Sequence, residues 1–85
     1  MRNLERDVIR IGAQFNGRLP SEVLADALEY TEHNESGLAL YVLCQQLAEY
    51  DVPITKDEFS QLQALSSHMY PDALPLEDLS ELVIQ

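Results

Sequence analysis

Cysteine is nearly absent from this 85-residue chain, with Cys44 alone, so no disulfide framework can hold it together and a reducing compartment is expected. With Leu43 and Leu47 beside it, Cys44 reads as a small buried hydrophobe rather than a nucleophile. Tryptophan is missing altogether, and only three Gly and four Pro interrupt the chain. With 46% hydrophobic residues, that composition argues against disorder and for an ordinary globular core. No run approaches the ~20 consecutive apolar residues of a transmembrane helix. The opening Met1-Arg2-Asn3-Leu4-Glu5-Arg6-Asp7 mixes both charges ahead of no signal-like apolar stretch. A cytoplasmic location without membrane contact is therefore the expectation.

Positive charge is the other scarcity. Five Lys+Arg face fifteen Asp+Glu, giving a formal net charge of -10, a balance that repels nucleic acid and anionic lipid. The imbalance is segregated. Residues 1–20 hold four Arg and two acids, whereas residues 21–85 hold one Lys and thirteen acids. One domain is expected at this length, and a chain so short buries only about 60–65% of its unfolded surface, leaving little room for an enclosed substrate pocket.

What is present is helical periodicity. Leu4, Val8, Ile11 and Phe15 form one stripe of a helix expected from about Asn3 to Asn16, with Gly17 suited to end it. Arg2, Arg6 and Arg10 repeat at i, i+4 as a basic ridge on the same helix. A second helix is expected from Pro20 to His33, with either Pro20 in its first turn or Ser21 as N-cap. Its apolar face carries Leu24, Ala27, Leu28 and Thr31, and its opposite face carries Glu22, Asp26 and Glu29. After an Asn34-Glu35-Ser36 break, a third helix is expected over residues 37–50, apolar over most of its circumference from Leu38 to Leu47, so its neighbours should enclose it. Tyr41 on this helix is expected in the core.

Thr55-Lys56-Asp57-Glu58 is a capping box, and Ile54 and Phe59 fall where a hydrophobic staple belongs, so the fourth helix starts there. Phe59, Leu62, Leu65 and Met69 continue it as far as Pro71. Leu74-Pro75 then opens a short last helix in which Leu76, Leu79, Leu82 and Val83 can bury. No internal repeat or low-complexity tract occurs. The expectation is all-α: a compact bundle of about five short helices.

Catalytic and cofactor signals are lacking. His33 has Glu29 and Glu32 nearby but reads as a helix-terminal surface histidine, His68 stands apart, and no zinc-ligand spacing is present. Neither a Gly-rich phosphate loop nor an EF-hand pattern occurs, and nothing beside Cys44 would form an oxyanion hole. The Asp-Ser-Leu attachment site of an acidic carrier protein is also missing, its nearest string being Asp78-Leu79-Ser80. Neither an enzyme nor a cofactor is expected.

The stretch from Glu32 to Ile54 combines a Glu32-His33-Asn34-Glu35 turn, a Leu38-Ala39-Leu40 helix, a Cys44-Gln45-Gln46-Leu47-Ala48-Glu49-Tyr50 end and a Pro53-Ile54 entry into the next helix. In that order these elements resemble the MafI family of bacterial immunity proteins. A weaker likeness extends to Gly17-Arg18-Leu19 and Glu58-Phe59. The resemblance implies an antidote to the C-terminal toxin domain of a polymorphic or contact-dependent growth inhibition system, the toxins being often nucleases, including EndoU-like ribonucleases. An acidic surface suits such a basic target, both steering the encounter and occupying a phosphate-binding cleft. The candidate partner-binding residues are Glu29, Glu32, Glu35, Glu49 and Asp51, with Glu22 and Asp26 farther along and Tyr50 as an aromatic anchor beside Tyr30 and Tyr41. The alternative is an acidic adaptor that holds a basic protein without inhibiting it.

Overall fold

The structure, a computed structural model, describes residues 4–67 and 75–84. Five α-helices appear among them: α1 (Leu4–Ala13), α2 (Ser21–Glu29), α3 (Ser36–Glu49), α4 (Lys56–Ser66) and α5 (Leu76–Ser80). The all-α architecture expected from periodicity is present. Arg2, His68, Met69, Pro71 and Leu74 lie outside the described residues, and so does the first step of the basic ridge; the fourth helix ends at Ser66, short of the expected Pro71, with the Ser67 amide donating to the Leu65 carbonyl.

The predicted stripes are the buried ones. Val8, Ile11 and Phe15 from the first segment, Leu24 and Ala27 from α2, Leu40, Leu43, Cys44 and Leu47 from α3, Leu62 and Leu65 from α4 and Leu79 from α5 join one apolar cluster. Side chains of about this size contribute roughly 1.5–3 kcal/mol each when fully buried, so this shared core is the main term holding five short helices together. Gly12 lets α1 approach α2 closely. A Cβ at this position would stand 2.8 Å from Leu28 Cδ2.

Three further boundaries differ from expectation. α1 ends at Ala13, because the amides of Gln14, Phe15 and Asn16 donate to carbonyls three residues back, at 3.1, 3.0 and 3.2 Å, and tighten the chain into a turn. Gly17 then takes φ 92, reversing the chain as its type allows. Pro20 occupies the cap position of α2, with Ser21 as the first helical residue and no side-chain cap bond; neither expected arrangement is found. The second helix does not run on to His33 in α form: it narrows to a 3-10 helix over Tyr30–His33. Buried Thr31 donates its hydroxyl to the Leu28 carbonyl at 2.7 Å in that narrowing.

Two non-glycine residues with positive φ stop helices. Asn34 (φ 58) closes the 3-10 helix and Asp51 (φ 51) closes α3. At both places the residue's own amide and the next one return to the helix end: Asn34 to Thr31 and Glu35 to Tyr30, then Asp51 to Ala48 and Val52 to Leu47. This paired pattern is the Schellman motif, and Val52 packs in the core with Leu47 as that motif favours.

α3 is not enclosed on all sides. Ala39, Leu40, Leu43, Cys44 and Leu47 are buried, but Leu38 and Tyr41 are 41% and 37% exposed, so Tyr41 is not a core residue. The bundle has too few helices to surround α3, and its outer face meets solvent.

The capping box at the start of α4 is complete. The Glu58 amide donates to Thr55 Oγ1 at 3.0 Å and the Thr55 amide donates to Glu58 Oε1 at 2.9 Å. Arg18 adds a clasp: its guanidinium donates to both Glu58 oxygens at 2.9 and 2.5 Å, to the Gln14 carbonyl at 2.6 Å and to the Pro53 carbonyl at 3.2 Å. It also lies 4.8 Å from the centre of the Phe15 ring, as a cation–π contact requires. The turn after α1 is thereby tied to the start of α4. The C-terminal segment is pinned to the same region, where the Ile54 amide donates to the Leu82 carbonyl at 3.1 Å and the Ile84 amide donates to the Ile54 carbonyl at 2.8 Å.

Candidate functional site

Burial of α2's apolar stripe leaves Glu22, Asp26 and Glu29 exposed on its outer side, as their spacing requires. Glu32 on the 3-10 helix and Glu35 at the cap of α3 are exposed as well. At the far end of α3, Glu49 is its last residue, Tyr50 is 48% exposed, and Asp51 sits in the left-handed turn.

Two grooves gather part of this set. One, of about 340 Å³, is lined by Asp26, Glu29, Tyr30 and His33. Its walls come from the continuous turn of α2 into the 3-10 helix, which places two carboxylates next to an aromatic ring. The other, of about 570 Å³, lies where α5 meets the end of α3 and is lined by Gln45, Ala48, Glu49, Asp51, Asp78, Glu81 and Leu82. Four carboxylates and no cationic side chain line it, which makes it a focus of negative potential. Glu22, Glu32, Glu35 and Tyr50 line neither groove.

Asp78 and Glu81 line this candidate site, and sequence reasoning missed them. Their signal was faint but present: Leu79 buries on the inner side of α5, and its spacing to Asp78 and Glu81 turns those acids away from the core. That this outer side adjoins Glu49 and Asp51 is a tertiary fact, fixed by the bonds between Ile54 and the tail.

Carboxylates that mostly face solvent, in open grooves, suit cationic side chains of a partner. Cys44 is fully buried and its thiol is pushed up to about 12 by loss of solvation, so it stays protonated and unreactive at neutral pH. Glu58 is held below the ordinary carboxylate range, chiefly by the Arg18 hydrogen bonds and also by the Thr55 amide and hydroxyl, against opposing desolvation. It belongs to the capping box, and its partners are all internal. Among the described residues no three His, Cys, Asp or Glu side chains converge to hold a metal ion, and no helix is long and apolar enough to cross a membrane.

No family model, no curated protein and no solved structure matches this chain.

Proposed function

We propose that this chain is an immunity protein that binds and neutralises a cognate bacterial toxin domain, a basic nuclease of the EndoU-like ribonuclease type, by covering its active site or substrate cleft with an acidic surface. The observation that carries this reading is the segregated charge. Thirteen of fifteen acids lie after residue 20, and four of them line one groove between α3 and α5. A nuclease must present cations to hold phosphates, and an acidic protein competes for those cations with the substrate. The Glu32–Ile54 resemblance to MafI immunity proteins supports the same partner class.

Electrostatic attraction of this kind accelerates encounter and is screened by salt. The test is co-expression with a basic ribonuclease toxin domain, chosen from the reading frames that adjoin this chain's own. Survival of the cells, a co-purifying pair and loss of nuclease activity in that pair are expected, with an association rate that falls steeply as ionic strength rises. A stable pair in which the nuclease still cuts RNA would make the chain an acidic adaptor, and failure to bind any basic domain would end the reading. The paired substitution Glu35→Lys with Glu49→Lys is expected to leave the fold intact and slow association.

A further inference from the structure

α3 carries an unusual sequence for a helix with a solvent-facing side. Ser36 through Ala48 contain no charged residue, although an exposed helical face normally holds Lys and Glu. Leu38, Tyr41, Gln45 and Glu49 follow at spacings of three, four and four, opposite the buried Ala39, Leu40, Leu43, Cys44 and Leu47. Half-buried Val42 borders them. The exposed line is therefore apolar over its first half. Gln45 and Glu49 then carry it into the groove with Asp51, Asp78 and Glu81. An aliphatic and an aromatic side chain thus adjoin a notch of concentrated negative potential.

We propose that this outer face of α3 is the docking surface of the protein and that it takes a basic, amphipathic segment of a partner protein: an apolar edge laid on Leu38 and Tyr41, and Lys or Arg side chains in the Glu49–Asp51–Asp78–Glu81 notch. This deepens the immunity reading and rests on it for the partner's identity, but not for the surface. Charge complementarity selects the occupant. A like-oriented second copy would set one acidic notch against another, and an anionic lipid surface would be repelled by the same field. A tyrosine such as Tyr41 is among the residue types that most often carry a large share of the binding energy of an interface.

The test uses the isotope-labelled full chain in solution, titrated with a synthetic amphipathic helix of leucine and lysine. Oligolysine and a leucine–glutamate version of the helix serve as controls. Amide shifts concentrated on Leu38, Tyr41, Gln45, Glu49 and Glu81 are expected with the leucine–lysine helix, weaker binding with oligolysine and none with the glutamate version. The double variant Leu38→Gln with Tyr41→Gln, at exposed positions, should melt like the parent and bind the leucine–lysine helix about ten-fold more weakly. Equal binding by parent and variant, equal binding of oligolysine, or a dimer of the free chain formed through α3 in sedimentation would overturn the proposal. Full protection of cells by the double variant would also sink this surface while leaving the antidote role standing. Peptide binding mapped to α3 by a chain that protects no cells would do the reverse.

Discussion

Arg18 shows how much one side chain can organise. It reads as an ordinary turn residue in the sequence, yet it closes a bidentate pair with Glu58, whose side chain is only 9% exposed. A carboxylate so nearly buried costs free energy if its partner is removed, and Arg18→Ala is expected to lower stability by about 1–3 kcal/mol, read as a shift in the urea midpoint. The pair is also a pH device. Because the folded state holds Glu58 below its ordinary value, the stabilisation is complete above the unfolded glutamate range, about 4.3, and is lost as pH falls through the lower folded value. Glu58→Gln should therefore flatten the acid limb of a stability–pH curve measured between about pH 5 and 2. Cys44 gives a second residue-level expectation: a thiol reagent at neutral pH should label it only at the rate of unfolding, and at once in denaturant. Cys44's burial was legible from its flanking leucines. The Arg18–Glu58 pairing was not, because 40 residues separate the two and nothing in local spacing couples them.

At the scale of elements, the devices written within a few residues were the legible ones. Thr55 and Glu58 declare their capping box in four letters, and Thr55→Ala is expected to destabilise by about 1 kcal/mol in chemical denaturation. Helix ends governed by backbone geometry were harder to read. The α2 stripe continues in phase through Thr31, so periodicity alone does not reveal the change to a 3-10 helix over Tyr30–His33. Asp51 was singled out for its charge, while its backbone performs the left-handed turn that ends α3. Glycine adopts that turn without the penalty of a Cβ, so Asp51→Gly should match or exceed the parent in thermal stability even as it removes an acid from the notch. Binding and stability would then move in opposite directions, a result that a purely structural aspartate would not give. Where α1 meets α2, Gly12→Val should destabilise by about 1–3 kcal/mol, since Leu28 already occupies the space beside it.

For the molecule as a whole, the apolar stripes legible in the sequence join one cluster among the described residues. What stayed hidden was adjacency: which acids from distant segments share a groove, and which side of α3 the small bundle leaves uncovered. Those follow from the hydrogen bonds that join Ile54 to Leu82 and Ile84. Besides these two backbone bonds the segment is held by buried Leu79 and by Leu76, Leu82 and Val83 packed partly against the core, and peripheral segments commonly open before the rest of a domain. One wall of the acidic notch thus depends on a local equilibrium. Any ligand that needs Asp78 and Glu81 in place must draw that equilibrium toward the closed form, and the exchange of the Ile54 and Ile84 amide hydrogens with heavy water should slow in proportion to occupancy. The two protons that lace the tail to the body would then serve as a built-in gauge of whether the notch is filled.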